Sequence, residues 1–268
     1  TNQGENLLNP GNDPKENAQF MLILTAVISA VDKYAKLMRI SVASAGNDHR
    51  LGANEAPPAI VSVFLGDELQ SIVDDIIAGT HTAGTGSAKI QLGVTTLPVF
   101  SKDNTDRNRT SPFAFTGNRF EFRMPGSSQN IACINMMLNT AVADVFKRYA
   151  DELEGAEDFD AALNALVKRE LTAHQRVIFN GNGYDDSWVA EAEKRGLPNL
   201  KSTPEALACY DEFVDVFEGT GVLSETELLS RKEILLEEYA KLIKIESRTM
   251  VDMAKKDILP AVGSYTKE

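Results

Sequence analysis

The order of apolar and polar positions sets out the elements of this chain. Asp13-Pro14-Lys15-Glu16 offers an N-cap, a proline at the first helical position and a supporting acid. With the apolar run Phe20 to Val31 behind it, this predicts one helix from about Asp13 to Ser44, buried through its first half and ended by Gly46-Asn47. Ala45 to Ile60 is dense in Gly, Asn and Pro and predicts a shaped loop leading into a buried strand over Ala59 to Leu65. A short helix follows over Asp67 to Ala78, then a Gly/Thr/Ser loop from Thr80 to Ala88, a strand from Lys89 to Phe100 and a charged turn from Lys102 to Asp106.

From Arg107 to Gly126 the period becomes two. Arg119, Glu121 and Arg123 alternate with Phe120, Phe122 and Met124, so one strand face is charged and the other oily. The stretch reads as two short strands joined by a turn at Gly117-Asn118. Ser127-Ser128 then caps a helix reaching about Leu153, apolar at Ile131, Ile134, Leu138, Val142 and Val145. Beyond it the composition shifts to Glu, Ala, Leu and Lys at helical spacing, broken at Asn180 to Gly183, Gly196 to Pro204 and Gly219 to Gly221. Thr203-Pro204-Glu205 starts one helix and Ser224-x-x-Glu227 another. The last, about Glu225 to Leu259, would be about 50 Å long and needs a partner along its length, its Met and Leu stripe reading as core or subunit contact. The chain thus divides at 1–153 and 154–268, the second segment expected to be the more independently stable.

Composition narrows the function classes. The 268 residues are 43% hydrophobic and 25% charged, which suits a globular chain of one large or two modest domains. A net charge of -12 argues against a nucleic-acid surface or an anionic membrane as partner, since both want basic patches. The longest apolar run stops at Asp32-Lys33, short of the roughly 20 residues of a membrane span. Cys133 and Cys209 form no CxxC pair, and with His49, His81 and His174 they supply no zinc constellation, which fits a reduced cytoplasmic setting. GTGSAK at Gly84 to Lys89 lacks phosphate-loop spacing. The sequon at Asn108-Arg109-Thr110 would go unused in the cytoplasm. A start on Thr1 and a polar end after a long helix read as a segment of a longer chain.

The candidate chemistry sits in the central stretch, with Arg107, Arg109, Arg119, Arg123 and Glu121 close together. Alternation by itself describes the solvated face of a half-buried sheet. A carboxylate between guanidiniums can also offer oxygen to a hard cation while its neighbours hold phosphate or carboxylate oxygens, as phosphoryl transfer requires.

Taken in order, Asn47-Asp48-His49-Arg50-Leu51-Gly52-Ala53-Asn54-Glu55-Ala56-Pro57, Asn108-Arg109-Thr110-Ser111 and Arg119-Phe120-Glu121-Phe122-Arg123-Met124-Pro125 resemble three successive signatures of the C-terminal half of the glutamine synthetase catalytic domain, in its type III form. The resemblance covers nearly the whole chain, with 154–268 similar to that branch's extra helical region. It implies an α+β fold: several antiparallel strands from the catalytic barrel-like sheet, followed by a mostly α-helical region. It implies a metal ligand at Glu121, arginines for transferred phosphate and substrate carboxylate at Arg109 and Arg123, a nucleotide contact at Arg119, a glutamate-binding arginine at Arg50 and a mobile-loop glutamate at Glu55. Pro112-Phe113-Ala114 stands where the family normally has another arginine, a departure that touches one phosphate contact.

The activity implied is ATP-dependent ligation of ammonia to glutamate through a glutamyl-phosphate intermediate, with Mg2+ or Mn2+, in a cytoplasmic ring-shaped homo-oligomer. Other metal and ATP residues of the family precede the motifs present here, so the isolated chain reads as an incomplete, inactive segment. Two readings compete: a non-catalytic relative whose helical region serves assembly, and a ligase of the same fold with another substrate.

Overall fold

The computed structural model describes residues 3–11, 13–53, 56–80, 89–90, 100–101 and 111–266. Helix α1 (Ala18–Lys33) starts at Asn17, whose side chain accepts the Phe20 amide, whereas Asp13, the expected cap, accepts from the Lys15 amide in the preceding turn. A break at Tyr34 separates α1 from α2 (Ala35–Ser41), so the expected single helix is two. The break is pinned to α5 (Ile131–Leu153): the Tyr34 hydroxyl and Lys33 Nζ both donate to Asp144.

The polypeptide then re-enters a helix where a loop was expected. Ser44 caps α3 (Ala45–Arg50) by accepting the Asn47 amide, and its residues gain tertiary partners described below. Ala59 to Leu65 is buried throughout as anticipated, yet only β1 (Val63–Phe64) is regular strand. After α4 (Asp67–Ala78), β2 (Lys89–Ile90) pairs antiparallel with β3 (Phe100–Ser101), Lys89 opposite Ser101. The stretch expected as one strand therefore doubles back on itself. The expected loop over 81–88 and turn over 102–106 lie outside the described residues.

The central stretch folds as its alternation predicts. β4 (Phe113–Phe115) and β5 (Phe120–Phe122) are antiparallel, Phe113 opposite Phe122 and Phe115 opposite Phe120. Gly117, at φ 89, takes the left-handed conformation that the turn between them needs. β1 joins β4 in parallel, Val63 opposite Phe113, because a long crossover through α4 connects them. The sheet is thus small and mixed rather than wholly antiparallel, and the described strands close no barrel. Its rings pack closely, Phe113 to Phe120 at 5.1 Å and Phe115 to Phe120 at 5.3 Å, and Phe115 meets Phe20 of α1 at 5.9 Å.

Asn130, two residues past the expected serines, caps α5 by accepting the Ala132 amide. The remaining helices are α6 (Phe159–His174), α7 (Asp186–Lys194), α8 (Thr203–Ala208), α9 (Val214–Gly219), α10 (Glu225–Met253) and α11 (Leu259–Tyr265). Breaks fall at the three expected Gly- and Asn-containing stretches, a further one at Tyr210–Phe213 separates α8 from α9, and Ser202 and Ser224 form capping boxes with Glu205 and Glu227. A π-helical turn over Ala254–Ile258 carries α10 into α11, past the expected end at Leu259. Among residues of α10 only Leu228 is buried, and Ile245, Met250 and Met253 are exposed.

Helix α1 is apolar on all sides and lies at the centre. Its Leu24, Ile28 and Val31 share one core with Met137 and Val145 of α5 and Leu163, Leu166 and Leu171 of α6. That core crosses residue 154 without interruption.

Candidate functional site

Glu121 lies between Arg119 and Arg123 in space as in sequence. Its Oε2 accepts from Arg123 Nε at 3.2 Å and Nη2 at 3.1 Å, and its Oε1 lies 3.9 Å from Arg119 Nε. The register places all three on one face of β5 and its continuation, since residues two apart point the same way. Arg119 is largely open to solvent, whereas Glu121 and Arg123 are half-buried. The opposite face is oily as expected, and Met124 is fully buried. Phe113 packs against Phe120 and Phe122 and serves the sheet.

Arg50 is tied to the end of β5. Its Nη1 donates to Asn47 Oδ1 at 2.7 Å and to the Met124 carbonyl at 2.8 Å, and its Nη2 to the Arg123 carbonyl at 3.2 Å. Buried Asn47 completes the joint: its Nδ2 donates to the carbonyls of Val42 and Met124 and to Gln129 Oε1. The two outermost signatures that carry described residues are therefore one hydrogen-bonded unit. Gly52, at φ 78, donates its amide to the Pro57 carbonyl at 2.9 Å. Glu55 itself and Arg109 lie outside the described residues.

Sequence reasoning missed the other side of α3. Asp48 Oδ1 accepts from Arg39 Nη2 and from Thr203 Oγ1, both at 2.9 Å, and its Oδ2 accepts the Thr203 amide at 2.7 Å. Arg39 is fully buried, and desolvation lowers its pKa although Asp48 opposes the shift. The Tyr239 hydroxyl of α10 faces the same carboxylate, and burial together with Asp48 raises its pKa. A second missed cluster joins α1 to α6: buried Asp32 accepts from Arg176 Nε at 2.9 Å and lies 2.7 Å from His174 Nδ1. No local spacing marks either cluster, because Thr203 lies 155 residues from Asp48 and Arg176 lies 144 from Asp32.

Among the described residues no group of three or more His, Cys, Asp or Glu is placed to hold a metal. Glu121 is chemically suited to one hard-cation bond, since a carboxylate oxygen is a hard donor. A separate cavity of about 370 Å³, lined by Met21, Ile72, Leu163 and Val167 with the Lys15–Asp75 ion pair, includes none of the residues singled out by sequence. No helix of the described chain is long and apolar enough to cross a membrane.

Residues 162–268 match the family model described as glutamine synthetase C-terminal domain. The whole chain aligns at 48% identity with a type-3 glutamine synthetase of Dictyostelium discoideum, spanning 37% of that protein. It aligns at 46% with a glutamine synthetase of Butyrivibrio fibrisolvens, spanning 39% of it, and over 99% of its length at 44% with one of Bacteroides fragilis, spanning 38%. The chain thus covers less than two fifths of each of these relatives.

Proposed function

We propose, for a chain similar over its whole length to type-3 glutamine synthetases, that it is the part of such a ligase that presents arginines and one metal carboxylate to ATP and glutamate. The observation that carries this is the Arg119–Glu121–Arg123 row on one strand face, joined to α3 through Arg50. In the complete protein the reaction would be ligation of ammonia to glutamate. The side-chain carboxylate of glutamate takes the γ-phosphoryl group of ATP and releases ADP, and ammonia then attacks the acyl carbon and displaces phosphate.

Each residue has a role in that scheme. Arg109 and Arg119 would hold phosphate oxygens, and Arg123 the transferred phosphate or the substrate carboxylate. Arg50 would remain anchored by the bonds above and offer its Nε–H and remaining Nη2 hydrogen to a carboxylate. Glu55 would help deprotonate ammonium and close the site, which protects an acyl-phosphate from water. Glu121 would give one oxygen to Mg2+ or Mn2+, which when bound offsets charge on the phosphates, with the other ligands supplied from outside the described residues.

The division into a catalytic half, 1–153, and a helical region, 154–268, belongs to the same proposal, as do a cytoplasmic location and a ring-shaped homo-oligomer. The unpacked outer length of α10 and α11, with Ile245, Met250, Met253 and Leu259 exposed, suits subunit contact. The test is ATP-dependent formation of γ-glutamyl hydroxamate from glutamate and hydroxylamine by the complete protein, with magnesium or manganese. A folded, complete protein that forms none would overturn the reading and leave a role in assembly.

A further inference from the structure

Helix α3 has two opposed sets of partners. Through Asn47 and Arg50 it holds the end of β5, and through Asp48 it holds the helical region. The Asp48 side is the more enclosed: the Arg39 side chain is 1% exposed and that of Asp48 10%. Arg39 also donates from Nε to the Leu200 carbonyl at 2.8 Å, so one guanidinium binds Asp48 and the strand of chain before α8 together. His49 adds an exposed contact, its Nε2 lying 3.1 Å from Glu246 Oε2 on α10.

We infer that Asp48 is a positioning residue through which the helical region sets the place of Arg50. This rests on the ligase reading above. The physical reason is connectivity. Asp48 and Arg50 share one six-residue helix, so a shift of Asp48 relative to Thr203 moves the Arg50 guanidinium relative to Arg123. Asp48 accepts from three donors, the Arg39 guanidinium, the Thr203 amide and the Thr203 hydroxyl, while Tyr239 faces it from α10. An amide in its place would turn an N–H toward at least one of these donors in a buried setting. The carboxylate therefore fixes both the distance and the orientation of α3 on the helical region. The helical region becomes part of the site's geometry without contributing a group that touches substrate.

The experiment uses the complete protein. Asp48→Asn should raise KM for glutamate by about tenfold or more with kcat changed far less, since a small displacement of the substrate arginine weakens binding first. Thr203→Val removes one hydrogen bond, keeps the backbone amide and should raise the same KM by about threefold. Lys36→Ala, which breaks the exposed Lys36–Glu212 pair, should leave KM unchanged. Hydrogen exchange at residues 45–53 should quicken in Asp48→Asn and not in Lys36→Ala. If Asp48→Asn fails to fold, Thr203→Val alone decides. An unchanged glutamate KM in whichever variant is folded, or a loss of stability with KM and kcat both intact, overturns the inference while leaving the ligase reading standing. A complete parent protein that makes no glutamine overturns both.

Discussion

The Arg50 guanidinium donates to the carbonyl of Met124 at 2.8 Å, across 74 residues of sequence. The loop signature and the strand signature are thereby one object, and the backbone on which Arg123 and Met124 stand is held by a side chain proposed to face glutamate. Arg50→Lys keeps the charge but cannot span Asn47 Oδ1 and two carbonyls, because an ammonium lacks the guanidinium's fork. The complete protein should lose about 1–3 kcal/mol of stability, the cost of leaving such carbonyls unpaired. Urea unfolding measures this, and a variant as stable as its parent would show that water replaces the bonds at no cost.

Glu121→Gln should leave the fold intact, since a half-exposed ion pair is worth only about 0–1 kcal/mol. Activity of the complete protein should fall by orders of magnitude and manganese affinity should drop with it, because the amide removes the charge offered to the cation. Titration with Mn2+ alongside the hydroxamate assay checks both. Retained affinity and activity would remove Glu121 from the metal site.

Residues 154–268 expressed alone should not form a cooperative fold. Leu163, Leu166, Val167 and Leu171 of α6 are buried in a core shared with α1 and α5, and excision exposes them to water. Circular dichroism during thermal melting should show helix without a sharp transition, and a sharp transition would mean the segment repacks on itself.

Acid should weaken the α1–α5–α6 junction. Burial tends to raise the Asp144 pKa, but hydrogen bonds from Tyr34 and Lys33 outweigh it and the net shift is downward. Glu170 is likewise lowered, desolvation being outweighed by Arg169 and Tyr149. A folded pKa below the unfolded one gives stability that is complete above the unfolded value, about 3.9 for Asp and 4.3 for Glu, and is lost as pH falls through the folded value. Thermal melts should therefore drop through the acid range, and Asp144→Asn with Glu170→Gln should flatten that drop.

The sequence alone determined a good part of this. Period-two alternation fixed the face shared by Arg119, Glu121 and Arg123, and the glycine at 117 fixed the turn between the strands, because both depend on geometry within a few residues. Ser224 with Glu227 fixed one helix start for the same reason, while the start expected at Thr203-Pro204-Glu205 is capped one residue earlier by Ser202. The tertiary structure decided the rest. Asn17 rather than Asp13 caps α1, and α3 forms inside a Gly- and Asn-rich stretch, since long-range partners for Asn47, Asp48 and Arg50 stabilise a turn of helix that local propensity does not favour. The parallel pairing of β1 with β4 follows from the long crossover between them, and the continuous core across residue 154 from the packing of α5 and α6 against α1. Asp48 shows the limit most sharply: its partner Thr203 is 155 residues away, and a hydrogen bond over that separation is specified only when the whole chain has packed.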